Sequence, residues 1–152
     1  EKIGNVKALY DAGYCREVVA YAAENGVKLA LENGQLAFLT KAINQVEGLN
    51  ICLDVGHVYF TPIPMQQYLT ELKQRLIHLH IQEIRLESED KLPETGFDHY
   101  IPGSGRIPRA DWEAVVQTLK EIEFTGIAAF EIQPRNPFQT AILGKTFFNG
   151  LL

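Results

Sequence analysis

Four short apolar runs of this 152-residue chain each carry a possible metal ligand near their end. The four residues are Glu32, Asp54, His80 and Glu131. Carboxylate oxygens with one imidazole nitrogen suit Mn²⁺, Mg²⁺ or Co²⁺, and the same set can hold Zn²⁺ or Fe²⁺. Any one of these residues alone could be a salt-bridged structural residue. Together, in matched positions, they predict a site for one divalent cation, because buried unpaired charges are costly without one.

The apolar runs alternate with helical patterns along the chain. The runs read as strands over residues 27–32, 51–55, 76–81 and 127–132, and helical spacing covers residues 15–25, 36–46, 62–75, 109–121 and 138–148. Strands separated by helices of about a dozen residues indicate parallel βαβ units. Because the sites of parallel α/β folds lie at the carboxyl ends of the strands, we expect the four ligands to converge.

One choice of strand orientation satisfies all four strands. Side chains alternate between the two faces of a strand, so ligands that point inward share their face with the residues two positions earlier. These inner residues are Ala30, Cys52, His78 and Ala129. The residues between them, which would face outer helices, are all large and apolar: Leu31, Leu53, Leu79 and Phe130. The pattern predicts a barrel interior with ligands at its mouth and His78 one layer below them.

Composition bounds the class of protein. The 46% hydrophobic and 22% charged content is that of an ordinary globular protein. The net charge of −5 and the scattered Lys and Arg residues make a nucleic-acid partner unlikely. No apolar run approaches the roughly 20 residues of a membrane span. The two cysteines, Cys15 and Cys52, are a poor disulfide framework, so we predict a reducing, cytoplasmic location.

The ordered motifs resemble those of the sugar isomerase/epimerase superfamily. They are residues 53–57 (Leu-Asp-Val-Gly-His), 77–80 (Ile-His-Leu-His), 98–99 (Asp-His) with 102–105 (Pro-Gly-Ser-Gly), and Gly126 through Glu131. This is the group of xylose isomerase-like TIM barrels, which also contains the endonuclease IV type of DNA repair enzymes. The resemblance implies the C-terminal half of a (β/α)8 barrel, with residues 1–152 as one partial domain that holds the last four βα units.

The resemblance also implies roles for individual residues. Carried across, the metal ligands are Glu32, Asp54, His80 and Glu131, and the two glutamates double as the acid and base of an epimerase. His57 and Arg85 match positions that often contact substrate. His99 resembles a ligand of an additional zinc in the endonuclease branch. There one residue separates the Asp from the His, whereas here they are adjacent, so we assign His99 to substrate binding or loop structure.

The expected activity is isomerisation or epimerisation of a sugar or sugar phosphate by proton transfer next to a carbonyl, through an enediolate. Two alternatives stay open: a metal-dependent phosphodiesterase that acts on abasic DNA, as in the endonuclease branch, and a non-catalytic half-barrel. A complete barrel needs eight strands, and this chain has four. We therefore expect either a homo-oligomer or completion of the barrel by a missing N-terminal half.

Overall fold

Strands and helices alternate along the chain. The computed structural model describes residues 12–85, 97–132 and 136–151. The helices are α1 (Ala12–Glu24), α2 (Leu36–Gln45), α3 (Met65–Leu72), α4 (Arg109–Glu121) and α5 (Pro137–Asn149). The strands are β1 (Ala30–Glu32), β2 (Asn50–Asp54), β3 (Leu76–Ile81) and β4 (Ile127–Phe130). Among the described residues, no helix has both the length and the apolar character needed to cross a bilayer.

The four strands form one sheet in the order β1-β2-β3-β4, and every pairing is parallel. Parallel neighbours need a crossover rather than a tight turn, and each connection between them carries a helix. The predicted fold of four parallel strands with outer helices is confirmed. The carboxyl ends of all four strands therefore lie along one edge of the sheet.

The pairing is staggered toward that edge. Asp54 pairs directly with His80, whereas Glu32 pairs with the residue two positions before Asp54, and Glu131 lies two positions beyond the partner of His80. Offsets of two residues keep all four side chains on the same face. Strands that tilt around a barrel show such progressive offsets, which bring side chains from different strands to a common level.

The helices cover the opposite face with apolar side chains. Leu53 and Leu79, which the sequence pattern assigns to this face, are buried. Trp112 of α4 is also buried, and its ring lies 5.8 Å from that of Phe147 and 5.6 Å from that of Phe148 in α5. Each large apolar side chain buried in this layer contributes about 1.5–3 kcal/mol. The strands that carry the predicted ligands therefore pack against an apolar layer of helix side chains.

Helix α1 packs on α2 through a smaller cluster that includes Val19, Ala42 and Val46. The chain leaves α1 through Gly26, which has a φ of 72°. Glycine adopts this left-handed conformation without the penalty that a Cβ brings. The sequence predicts the end of the helix at this glycine, as the structure shows.

Three predicted elements are too long. The first strand was expected from residue 27, but β1 begins at Ala30, and the carbonyl of Leu29 instead accepts from the backbone and side-chain amides of Asn50. The third helix was expected over residues 62–75. It begins after Pro64, and its last turn tightens into a 3₁₀ turn, Lys73–Arg75. Strand β4 ends at Phe130, although the next N–H still bonds to the carbonyl of Ile81.

Candidate metal centre

Four side chains converge at the carboxyl edge of the sheet. Glu32 ends β1, Asp54 ends β2, His80 lies in β3, and Glu131 follows β4. Each offers one ligand atom, and these atoms all lie within 4.8 Å of one another. The strand offsets described above account for this convergence. The structure thus brings together the four residues that the sequence singles out as metal ligands, and their role in binding a metal stays a prediction.

The imidazole Nδ1 of His80 faces three carboxylates. It lies 3.0 Å from Oε2 of Glu131, 3.5 Å from Oε1 of Glu32 and 4.0 Å from Oδ2 of Asp54. Although they are close, neither this Nδ1 nor Oε2 of Glu131 forms a hydrogen bond within the described structure, and both atoms are buried. Buried polar atoms without partners are rare and call for an explanation such as an ion. The donor set and these two atoms fit a divalent cation.

Asp54 is the most constrained member of the group, with no exposed surface. Its Oδ1 accepts from the backbone N–H of His57 at 2.9 Å, and its Oδ2 accepts from Nε2 of Gln82 at 2.7 Å. Asn33 bonds to its backbone N–H and carbonyl. Burial raises the pKa of the Asp54 carboxyl above its ordinary value, and the two hydrogen bonds oppose this only in part. A neighbouring cation would stabilise the ionised form.

His57 lies in the 3₁₀ turn that follows β2, and its imidazole contacts two of the clustered carboxylates. Its Nδ1 is 3.2 Å from Oδ2 of Asp54 and 3.4 Å from Oε1 of Glu32. Its Nε2 is 3.5 Å from Oδ2 of Asp98. His57, Asp98 and His99 form a second group whose possible ligand atoms lie within 4.8 Å of one another. The adjacency of Asp98 and His99 in the sequence therefore does not keep them from converging with His57.

His99 follows Asp98 and also contacts the clustered residues. Its φ of 62° is unusual for a residue with a Cβ. Its backbone N–H donates to Oε1 of Gln82 at 2.7 Å, and its Nδ1 lies 3.1 Å from the carbonyl oxygen of Glu131. Because a carbonyl only accepts, this contact requires the tautomer with hydrogen on Nδ1. His99 thus touches the backbone of one predicted metal ligand.

Arg85 contacts the segment that follows β3. Its guanidinium lies 4.5 Å from the centre of the Tyr100 ring, and its Nη2 donates to the carbonyl of Ser104 at 3.4 Å. None of these contacts joins it to the four clustered side chains. Its predicted contact with substrate is not tested by this geometry.

The inner layer below the ligands contains Cys52 and His78. The His78 and His80 rings meet edge to face at 5.2 Å. Burial, followed by the nearby carboxylates, raises the pKa of Cys52 to about 12, so its thiol stays protonated at neutral pH. Possible ligand atoms of Cys52, His78 and His80 also lie within 4.8 Å. These three residues form a further group one layer below the four clustered side chains.

Two buried polar residues follow β3, and the sequence analysis did not identify the first of them, Gln82. Gln82 is fully buried and bridges Asp54 and His99. Its position two residues after His80 puts it on the ligand face, and this parity is the signal that could have found it. Glu83 has the opposite parity. It accepts from the backbone N–H groups of Ile84, Gly103 and Ile107 at 2.9–3.1 Å and so ties the following segment to β3.

Known proteins share this arrangement of strands and helices. The family described as "Xylose isomerase-like TIM barrel" matches residues 12–145, whereas no curated protein matches the chain. An L-ribulose 3-epimerase structure superposes with a TM-score of 0.70 at 17% identity and covers 93% of this chain and 52% of its own. The 3-keto-D-glucoside 4-epimerase of E. coli superposes with a TM-score of 0.65 at 20% identity, and the match covers 91% of this chain and 52% of that protein. A xylose isomerase domain protein of Planctomyces limnophilus superposes with a TM-score of 0.69 at 21% identity, and the match covers 92% of this chain and 50% of that protein.

The chain spans about half the length of these solved structures, which identifies its four-stranded sheet as half of a TIM barrel. Identities near 20% show a shared fold and carry no substrate with them. The family match extends over most of the residues that form the sheet, its helices and the clustered side chains. The chain therefore belongs to the xylose isomerase-like TIM barrel family.

Proposed function

We propose that this chain forms the metal-binding half of an enzyme that isomerises or epimerises a sugar or sugar phosphate. The observation that carries the proposal is the convergence of Glu32, Asp54, His80 and Glu131, in which two buried polar atoms lack a hydrogen-bond partner. The sugar epimerases among the structural relatives support the same reaction class.

The four converging residues would hold one divalent cation. The donor set of three carboxylates and one imidazole favours Mn²⁺, Mg²⁺ or Co²⁺, with Zn²⁺ also possible. A bound cation supplies stabilisation of the negative charge that develops on the adjacent oxygens of an open-chain keto sugar. Asp54 is fully buried, so it can serve as a ligand but cannot reach a proton on a substrate carbon.

Glu32 and Glu131 are the accessible carboxylates of the group, with 46% and 38% of their side chains exposed. They come from the two outer strands and so flank the space above the inner ligands. One glutamate removes the proton from the carbon next to the carbonyl, and an enediolate forms. An epimerase returns a proton to the same carbon from the opposite face through the other glutamate, whereas an isomerase returns it to the neighbouring carbon.

His57, Arg85 and His99 are the proposed substrate-binding residues. His57 and His99 surround the ligands and retain part of their surface, so they can bond to sugar hydroxyls. A cavity of about 430 Å³ opens beside Glu32 and is lined by Asn33, Gly34, Gln35 and Phe38. Cavities of a few hundred Å³ accommodate small ligands.

The rest of the pocket requires further strands. The outer strand β4 leaves Ile127 63% exposed, as expected where a barrel continues. We propose that a missing N-terminal half or a second copy of the chain completes the wall, in a cytoplasmic enzyme. The whole protein's substrate would be bound between the two halves.

The test is proton exchange at the substrate carbon. The whole protein with Mn²⁺ should epimerise or isomerise at least one ketose, hydroxypyruvate or inosose, and in D₂O the product should carry deuterium at the reacting carbon. Glu131→Gln should reduce turnover by about 10²–10⁴-fold at saturating Mn²⁺, because a general acid–base group is removed. Glu47→Gln is the matched control, because Glu47 is an exposed glutamate in the loop before β2, away from the site.

Turnover that survives in Glu131→Gln would eliminate the scheme with two glutamates. The group of His57, Asp98 and His99 favours one rival, a phosphodiesterase with more than one metal. That enzyme would bind two or three metals per chain and nick abasic DNA. The net charge of −5 opposes it, because DNA contacts require clustered basic residues. One bound metal without any turnover would indicate the non-catalytic half-barrel.

A further inference from the structure

Gln82 lies between Asp54, at the end of β2, and His99, which precedes the residue that pairs with Glu83 in an isolated antiparallel bridge. It lies just beyond β3 and is fully buried. Its Nε2 donates to Oδ2 of Asp54, and its Oε1 accepts from the backbone N–H of His99, each at 2.7 Å. The carboxylate can only accept and the N–H can only donate, so the amide fits in one orientation. Both polar atoms of the side-chain amide are therefore hydrogen-bonded.

These two bonds complete a chain of contacts across the sheet. Asp54 ends β2, Gln82 follows β3, and His99 reaches the backbone carbonyl of Glu131 beyond β4 through its Nδ1. Two of the four predicted ligands are thus linked through one glutamine and one loop histidine. His99 has a φ of 62°, a conformation that needs surrounding contacts to hold it. The backbone N–H of His99 donates to Oε1 of Gln82, so this bond helps to hold the conformation.

We propose that Gln82 is a positioning residue, which fixes the carboxylate of Asp54 for the metal and holds His99 over the site. The inference rests on the proposed function for its metal. Each oxygen of Asp54 accepts one hydrogen bond, which leaves each oxygen a second lone pair for coordination. Without the amide of Gln82, the carboxylate would lose one of the two bonds that set its rotation.

A substitution at Gly56 offers an independent way to displace the side chain of Gln82. A Cβ built on Gly56 would lie 2.9 Å from both Cγ and Cδ of Gln82. The φ of Gly56 is −66°, so alanine is acceptable to the backbone there. Gly56→Ala should therefore push Gln82 aside without changing its chemistry. Glu47→Gln is the control, because Glu47 is exposed and lies in the loop before β2, away from the site.

The experiment measures Mn²⁺ binding by calorimetry and hydrogen exchange of the His99 amide by NMR, the latter in metal-free protein. Gln82→Met keeps the length of the side chain and removes both bonds. We expect it to weaken Mn²⁺ binding by about 10- to 100-fold, the usual effect of losing a residue that orients a metal ligand. It should also speed exchange at His99. Gly56→Ala should change both readouts in the same direction.

Glu83→Gln is the second control. It weakens the attachment of the loop at Gly103 and Ile107 but leaves the bond between Gln82 and Asp54 in place. We expect unchanged Mn²⁺ affinity in this variant and in Glu47→Gln. Equal losses in Glu83→Gln and Gln82→Met, or unchanged affinity in Gln82→Met, would overturn the inference. If Gln82→Met does not fold, Gly56→Ala decides alone.

The failure of the proposed function is recognised separately. If the unmodified protein binds none of Mn²⁺, Mg²⁺, Co²⁺ and Zn²⁺, the metal-dependent activity is refuted, and exchange at His99 then decides the positioning role. Faster exchange in Gln82→Met and Gly56→Ala would support that role for the loop, and unchanged exchange would overturn it.

Discussion

The two inner strands and the two outer strands present similar side chains in different surroundings. Asp54 and His80 stand on strands that have a neighbour on each side, and Asp54 is fully buried with both carboxylate oxygens hydrogen-bonded. Glu32 and Glu131 belong to the outer strands, and their side chains are partly exposed. A buried, bonded ligand holds its position, whereas an exposed carboxylate can meet a substrate. In the proposed reaction, Asp54 and His80 would therefore hold the metal, and Glu32 and Glu131 would transfer the proton.

The largest expected effect comes from replacing one member of each pair. Asp54→Asn should weaken Mn²⁺ binding by more than about 100-fold, beyond the loss seen for supporting residues, because it removes a charge at a fixed position. Glu32→Gln removes the same charge from a side chain that is 46% exposed, where water weakens the attraction to a cation, so its Mn²⁺ affinity should fall less. Its turnover should fall by about 10²–10⁴-fold at saturating metal. Calorimetry and turnover of both variants measure the difference.

Equal losses of metal affinity in the two variants would show that the inner and outer ligands do not differ in the proposed way. An Asp54→Asn protein that still bound Mn²⁺ would place the metal elsewhere, with His57, Asp98 and His99 as the next group to examine.

A smaller effect concerns the pH dependence of stability through Glu83. Burial raises the pKa of this carboxyl above its ordinary value, although three backbone N–H groups oppose the shift. The folded chain then binds the proton more tightly than the unfolded chain, so this contribution to stability is complete below the ordinary pKa of 4.5. It is lost as pH rises through the raised value. Urea unfolding of metal-free protein from acidic to neutral pH measures this loss.

Glu83→Gln supplies the comparison, because glutamine has no charge to bury. The free energy of unfolding of the unmodified protein should fall relative to that of Glu83→Gln as pH rises. Glu47→Gln, at an exposed position, should show no such trend. A pH-independent difference between the protein and Glu83→Gln would mean that the carboxyl titrates normally.

The sequence predicted the inner part of the fold better than its edges. The bounds of β3 and α4 agree with the predicted ranges, because each element buries an apolar face that extends along most of its length. Strand β1 is shorter than predicted, since apolar pattern does not reveal where an outer strand loses its pairing partner. Strand parity correctly assigned Leu53 and Leu79 to the buried face.

The supporting contacts of the site could not be read from the sequence in the same way. Strand ends and parity located Glu32, Asp54, His80 and Glu131 without any knowledge of loops. The approach of Asp98 and His99 to His57 depends on the segment after β3, which Gln82 and Glu83 hold through bonds to backbone N–H groups. Backbone partners leave no pattern of residue types, so spacing along the chain could not show that Asp98 and His99 approach His57.

The central claim is best tested by anomalous diffraction from crystals of the whole protein grown with Mn²⁺. We expect one strong peak among the carboxylate oxygens of Glu32, Asp54 and Glu131 and Nδ1 of His80, the atoms that converge in the structure. No peak among these four side chains at saturating Mn²⁺, or a sole peak at His57, Asp98 and His99, would contradict it.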